Sequence, residues 1–222
     1  LLSRNSGLVM AGREDGSFDP ARPETIKGQK VGITAPGSSS DFFVRHFLAQ
    51  HDIPVDSIAL IGVGSGAAAV AALEQGKIDL LVNYDPAATL ITERKVGRII
   101  IDARSDEGAR QVYGGLYPTS VMYANQSFLD KRPEAATKIA RAQQMALRFI
   151  ADNTAEDIVA ALPDAYISGD RKTYARAVEN ARAIFTTDGR FVAADLETPL
   201  AVLREFNKDV AGTEIDLSKT YT

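Results

Sequence analysis

The chain has 222 residues, of which 45% are hydrophobic and 24% are charged, and its formal net charge is −4. This composition is typical of a folded protein with one large core or two modest ones, and nothing in it favours nucleic-acid binding. Cysteine is absent and only two histidines occur, so thiolate metal sites, cysteine nucleophiles and disulfides are excluded. No apolar stretch approaches the roughly 20 residues of a membrane-spanning helix.

Residues 30–103 alternate between short aliphatic runs and helical stretches. The strand-like runs are KVGITA, SIALIGV, IDLLVNY and RIIIDA, and the helices between them are predicted at 40–50, 66–75 and 86–95. Parallel neighbours need a crossover connection, which a helix supplies. The alternation therefore predicts an α/β unit with a parallel sheet.

The second half of the chain is predicted to be mostly helical. One more strand-like run, SVMYAN, precedes helices predicted at about 133–151, 155–162, 170–186 and 195–210. A four-stranded unit followed by helices is lopsided for one domain, so two lobes are expected. We assign residues 1–25 to lobe 1, residues 26–112 to lobe 2, and residues 113–222 to a hinge return and the helical remainder of lobe 1. Since the chain opens in strand-like residues without an initiator Met, we expect it to be a fragment.

Three consecutive serines follow the first of these strands, in the stretch APGSSSDFF. One of them, Ser39 or Ser40, is expected to cap the next helix by accepting from backbone N–H groups. The remaining hydroxyls and the free N–H groups of the first turn would form a site for an anion, reinforced by the helix dipole. Capping alone is the alternative. His46 lies on the same helix and is assigned no role.

A second glycine-rich turn has the spacing of a dinucleotide-binding fingerprint. Gly62, Gly64 and Ala67 follow a strand and open an Ala-rich helix, and Asp85 ends the next strand about 20 residues later. The earlier turn at 37–40 argues against this interpretation, because the fingerprint would then not belong to the first βα unit of its sheet. A tight turn with close packing is the simpler interpretation, and no nicotinamide or flavin cofactor is expected.

A third polar loop, VNYDPAA, places Asn83, Tyr84 and Asp85 at the carboxyl end of a predicted strand. Ligand crevices of open α/β sheets lie outside these ends. The loops at 37–40, 63–66 and 83–86 are therefore expected to meet at one rim. Neither a Ser/His/Asp set nor a pair of carboxylates can be traced there, so the site is predicted to bind a ligand rather than to catalyse a reaction.

Four stretches together resemble a known family: IKGQKVGITAPGSSS, AAVAALEQGKIDLLV, NYDP and YANQSFLDKRPEAATKIARA. They are similar to the solute-binding proteins of bacterial ABC importers for nitrate, sulfonates, taurine and pyrimidine-like precursors. The resemblance implies a two-lobed periplasmic-binding-protein-like fold of the second type, with the first lobe incomplete. It also implies a periplasmic or extracytoplasmic location, a small-molecule ligand and an ABC permease in the inner membrane as partner.

The same resemblance points to the serine loop, the NYDP loop and a hinge tyrosine as ligand-contacting regions. With the glycine turn they make up the candidate ligand-binding site: Ser38, Ser39, Ser40, Gly64, Ser65, Asn83, Tyr84, Asp85 and Tyr117. The site is expected to contain no catalytic residue and no metal ligand. Helix N-termini can hold a carboxylate, sulfonate or nitrate without a full countercharge.

Two other functions stay open on the sequence. A nucleotide-dependent enzyme would bind its cofactor at residues 62–67, and a ligand-sensing domain of a transcription regulator would share the predicted fold. A solute receptor is the preferred hypothesis.

Overall fold

The computed structural model describes residues 1–167 and 169–221. One sheet contains the strands β1 (Val9–Arg13), β2 (Lys30–Ile33), β3 (Ala59–Gly62), β4 (Leu80–Asn83) and β5 (Gly97–Asp102), in the order β3-β2-β4-β1-β5. β2 pairs in parallel with β3 and β4, whereas β1 is antiparallel to β4 and β5. The four strands predicted between residues 30 and 103 are confirmed.

Ten α-helices accompany the sheet in the described residues. They are α1 (Ser39–Gln50), α2 (Ala67–Glu74), α3 (Ala87–Glu93), α4 (Asp106–Tyr113), α5 (Gln126–Lys131), α6 (Pro133–Asp152), α7 (Ala155–Ala161), α8 (Arg171–Ala181), α9 (Glu197–Phe206) and α10 (Lys208–Ala211). The helices predicted between the strands are confirmed as α1, α2 and α3. Helix α4 was not predicted from the sequence, although Ser105 caps it by accepting from the backbone N–H of Gly108 at 3.0 Å.

Both faces of the sheet are covered. Leu80 and Val82 of β4 belong to a core with Phe43 and Phe47 of α1, whereas Leu81 faces a second core built with α2 and α3. Successive residues of a strand point to opposite faces, so burial on both sides requires an uninterrupted apolar run. This is why β4 reads as a continuous hydrophobic segment.

The position of β1 differs from the sequence-based assignment of residues 1–25 to lobe 1. β1 lies inside the sheet, where Val9 pairs with Asn83 of β4 and with Asp102 of β5. Met10 and Ala11 face opposite cores and are both fully buried. Two adjacent residues of a strand can both be buried only if both faces of the sheet are covered. The strand pattern was visible in the sequence, but it did not identify the neighbours.

Residues 1–4 do pack with the second half of the chain. Leu2 N donates to Ser120 O at 2.7 Å, and Arg4 N donates to Ile184 O at 2.8 Å. The chain therefore crosses from the helical part to the sheet between residues 4 and 9 and returns after β5.

Residues 113–222 also divide differently from the prediction. Phe206 of α9 stacks on Phe42 of α1 at 6.3 Å between ring centroids, and Val202 is fully buried in the core that contains α1. On the opposite side, Arg176 of α8 pairs with Glu93 of α3. An apolar stripe predicts which face of a helix is buried, but it does not predict which element covers that face.

The segment SVMYAN forms no strand. Val121, Met122 and Tyr123 are 42%, 50% and 91% exposed. The 20-residue helix α6, nearby in the chain, has Leu147 as its buried residue. A strand forms only when another strand pairs with its backbone, and the apolar surface left open in this region is that of an incomplete lobe. In the described part of the chain no helix has both the length and the apolar character needed to cross a membrane.

Candidate functional site

The carboxyl ends of β2, β3 and β4 lie at one edge of the sheet. Ile33 pairs with Gly62, and Gly32 pairs with Leu81, so the three parallel strands end nearly in line. Val63 N donates to Ile33 O at 2.9 Å just beyond that edge. The loops at 37–40, 63–66 and 83–86 therefore emerge side by side, as the strand pattern predicted.

The serine loop is organised by a ring of three hydroxyl groups. The Oγ atoms of Ser38 and Ser40 and the Oγ1 of Thr34 lie 2.8 Å from one another. Thr34 N also donates to Ser40 Oγ at 2.8 Å, and Ser40 is fully buried. The helix cap is Ser38, which accepts from Asp41 N at 3.4 Å, and not Ser39 or Ser40 as expected. Ser39 is the exposed serine.

A buried carboxylate, which the sequence analysis did not single out, reinforces this loop. Asp41 is 3% exposed and accepts from Gly37 N at 2.8 Å and from Arg45 Nε at 2.8 Å. A carboxylate in the first turn is stabilised by the helix dipole. Asp41 and Arg45 together hold the turn in place. Because their charges offset each other, the N-terminal end of α1 is close to neutral.

His46, which was assigned no role, is buried at 5% exposure and connects α1 to α9. Its Nδ1 lies 3.0 Å from Glu205 Oε2, and its ring stacks on Tyr113 at 6.1 Å. The histidine therefore stabilises the helix that carries the serine loop.

The glycine turn contacts the NYDP loop directly. Asn83 Nδ2 donates to Gly64 O at 3.0 Å, and Asn83 Oδ1 accepts from Tyr84 N at 3.0 Å. Gly64 has a φ of +73°, a left-handed conformation that glycine adopts without strain. Ser65 is exposed. In a dinucleotide-binding sheet the fingerprint follows a central strand, whereas β3 is an edge strand, which disfavours the nucleotide interpretation.

Asp85 faces inward. Its Oδ1 accepts from Thr89 N at 3.0 Å and from Thr89 Oγ1 at 2.6 Å, and its Oδ2 accepts from Arg104 Nη1 at 2.7 Å. Only 8% of the side chain is exposed. Arg104 follows β5 and also pairs with Asp102. Since both oxygens of Asp85 are in use, the carboxylate shapes the loop, while its neighbour Tyr84 is 45% exposed.

Tyr117 is held by aromatic packing and not by one of the three loops. Its ring stacks on Tyr113 at 4.0 Å, and Tyr113 meets Phe43 of α1 edge to face at 5.8 Å. Burial raises the pKa of Tyr117 to about 12, and burial raises the pKa of Tyr113 further. Both hydroxyls are therefore neutral donors at physiological pH.

These pKa shifts predict a pH dependence. An exposed tyrosine ionises near pH 10, whereas Tyr117 is expected to ionise only near pH 12. A phenol whose pKa is raised by folding stabilises the fold below pH 10, and that contribution is lost as the pH rises from 10 towards 12. Spectrophotometric titration of the phenolate band should show a step near pH 12 that Tyr117→Phe removes. Ionisation of all tyrosines near pH 10 in the folded protein would contradict the prediction.

The serines are expected to separate by role. Ser40→Ala leaves the half-buried Thr34 N–H without its acceptor and should cost about 1–3 kcal/mol of unfolding free energy. Ser39→Ala should change stability by less than about 0.5 kcal/mol but weaken solute binding about two- to tenfold. Urea denaturation and calorimetric titration measure the two effects. Equal stability losses in both variants would show that the two serines are not distinct.

The described residues contain no group of three His, Cys, Asp or Glu residues placed to hold a metal ion. One buried side-chain polar atom of these residues, the Oδ1 of Asn5, has no hydrogen-bond partner. Asn5 Nδ2 donates to Asp106 Oδ1 at 2.8 Å and to Arg104 O at 3.4 Å, so it connects the two segments that cross from the sheet to the helical part. Neither Asn5 nor Arg104 was predicted from the sequence, since neither belongs to a recognisable motif.

Comparison with known proteins places the chain in a family. A model of the NMT1-like family matches residues 11–163. A solved structure of a protein from Bordetella bronchiseptica RB50 aligns with a TM-score of 0.84 and 32% identity, covering 100% of this chain and 70% of that one. The periplasmic aliphatic sulphonate binding protein SsuA from Escherichia coli aligns with a TM-score of 0.66 and 17% identity, covering 95% of this chain and 67% of SsuA.

One curated relative is YtlA of Bacillus subtilis (strain 168), which carries the name of a binding protein. It is 24% identical over 181 residues, which cover 80% of this chain and 51% of YtlA. The chain thus spans about half the length of that relative. The family model covers most of the chain, and the chain belongs to the NMT1-like family. The predicted membership of the NMT1-like family is confirmed, and the likeness to SsuA confirms the predicted periplasmic-binding-protein-like fold with an incomplete lobe.

Proposed function

We propose that this chain is the solute-binding part of an extracytoplasmic receptor that delivers a small polar or anionic compound to an ABC permease in the inner membrane. The observation that carries the proposal is the convergence of three polar loops at one edge of the sheet, where Ser39, Ser65 and Tyr84 are exposed. Ligands of open α/β sheets bind outside the carboxyl ends of the strands. The solute would bind there, between the two lobes.

The chemistry of the rim supports a small polar or anionic solute. The three loops contribute hydroxyls, backbone N–H groups and an exposed phenol, and none contains Lys or Arg. The buried carboxylates of Asp41 and Asp85 are already paired with Arg45 and Arg104, so neither adds an unpaired negative charge. Neutral donors at a helix N-terminus can bind a sulfonate, nitrate, carboxylate or pyrimidine-like group.

Binding without turnover is the proposed activity. The rim loops bring together no nucleophile with a histidine base, because His46 is buried between α1 and α9, where it pairs with Glu205. SsuA and YtlA are both named as binding proteins, and SsuA is a periplasmic protein, which supports an extracytoplasmic location for this chain.

A thermal-shift panel tests the proposal. The probes are methanesulfonate, taurine, nitrate, acetate, cytosine and NADH, each added to the protein. A ligand that binds only the folded state raises the melting temperature by mass action. We expect a saturable rise with at least one of the first five probes, reduced by Tyr84→Ala. A saturable rise with NADH that Gly64→Val abolishes would instead favour a nucleotide-binding function.

A further inference from the structure

A chain of hydrogen bonds runs from the surface of α8 to the NYDP loop. Asn180 Nδ2 donates to Thr89 Oγ1 at 2.8 Å, and Thr89 Oγ1 donates to Asp85 Oδ1 at 2.6 Å. Asn180 is exposed, whereas Thr89 is 2% exposed. This hydrogen-bond relay therefore begins on α8, in the second half of the sequence, and ends in a predicted ligand-binding loop.

The direction of each hydrogen bond in this relay is determined. A threonine hydroxyl has one proton, and the carboxylate of Asp85 can only accept, so Thr89 gives its proton to Asp85 and accepts from Asn180. Hydrogen bonds aligned in this way polarise and strengthen one another. Removing the Asn180 amide weakens the Thr89–Asp85 bond as well as its own.

The far side of Asp85 is fixed by Arg104. Arg104 Nη1 donates to Asp85 Oδ2 at 2.7 Å, and its Nε and Nη2 donate to the two carboxylate oxygens of Asp102. The carboxylate is thus held between α8, through Thr89, and the end of β5. Tyr84 precedes Asp85 in the chain, so the direction of the loop depends on both attachments.

We propose that Asn180 is a positioning residue for the solute site, acting through Thr89 and Asp85 to hold the exposed Tyr84 in place. This rests on the proposed function, in which Tyr84 contacts the solute. Arg176 is one helical turn from Asn180 and binds Glu93 without joining the relay. The variant Arg176→Ala is therefore a matched control, because it removes a contact between α8 and α3 but leaves the hydrogen bonds to Asp85 in place.

The absence of tryptophan from the chain allows a test that needs no solute. In a Tyr84→Trp background, the indole is the sole tryptophan and reports on the loop. Asn180→Ala and Thr89→Val should each shift its emission maximum and increase its quenching by acrylamide. Thr89→Ser, which keeps the hydroxyl, and Arg176→Ala should leave both signals near the parent value.

The same variants are then titrated, in the natural Tyr84 background, with whichever of methanesulfonate, taurine, nitrate, acetate and cytosine binds. Asn180→Ala should weaken binding about threefold or more, and Arg176→Ala should not. Identical effects of Asn180→Ala and Arg176→Ala on fluorescence, or none from Asn180→Ala, would overturn the positioning role. Absence of binding by every probe to the unmodified protein would count against the proposed function, and the fluorescence comparison would still decide the role of Asn180.

Discussion

Replacing Arg104 with methionine is expected to destabilise the protein by about 3–5 kcal/mol. The side chain of Asp85 is 8% exposed, and Arg104 is its cationic partner. Methionine keeps much of the volume but leaves a buried carboxylate without a countercharge, and the cost of desolvating that charge is then uncompensated. Urea denaturation measures the effect. At an unchanged slope m, the shift of the unfolding midpoint gives the loss of unfolding free energy.

Two controls separate charge from packing. Arg22→Met removes the exposed ion pair with Asp19 and should cost less than about 1 kcal/mol. The double variant Arg104→Met, Asp85→Asn should recover part of the stability lost in Arg104→Met, because the buried charge is gone. If the double variant were as unstable as the single one, lost packing and not the isolated carboxylate would explain the result.

Phe43→Ala is expected to cost about 3–5 kcal/mol of unfolding free energy. Phe43 is fully buried behind the serine loop, and its ring supports Tyr113, on which Tyr117 stacks. The substitution creates a cavity and removes this support. The free energy of unfolding should therefore decrease, and the pKa of Tyr117 should fall towards that of an exposed tyrosine. Chemical denaturation and the phenolate titration measure the two effects.

The neighbouring residue supplies the control for this prediction. Phe42 is only partly buried, and it stacks on Phe206 of α9 at 6.3 Å. Phe42→Ala removes the same atoms from a more open site, so its cost should be clearly smaller and the ionisation of Tyr117 should not change. Equal costs for the two variants would contradict the burial of Phe43 in the core.

Local patterns determined much of this protein. The alternation of aliphatic runs and helices predicted β2 to β5 and α1 to α3, because strand and helix periods depend on residues close together in the chain. The rule that the carboxyl ends of parallel strands meet at one edge of a sheet predicted that the serine, glycine and NYDP loops lie together. The family resemblance rested on these loops and on the stretch YANQSFLDKRPEAATKIARA, residues 123–142, all within residues 11–163.

The candidate site was only partly predictable. Nothing in three adjacent serines distinguishes the capping Ser38, the buried Ser40 and the exposed Ser39. The distinction depends on Thr34, which the fold brings within 2.8 Å of two of them. Asp85 was correctly placed at the loop, but its partner Arg104 is 19 residues away, and no spacing rule connects the two.

Long-range placement was decided by the tertiary structure alone. β1 carries the pattern of a strand, yet its place between β4 and β5 follows from which neighbours bury both of its faces. The apolar stripes of α8 and α9 predicted buried faces but not that α7 and α1 would cover them. Hydrophobic burial is non-directional and depends on the area removed from water. A sequence therefore shows which side chains must be covered, and only the packed chain shows by what.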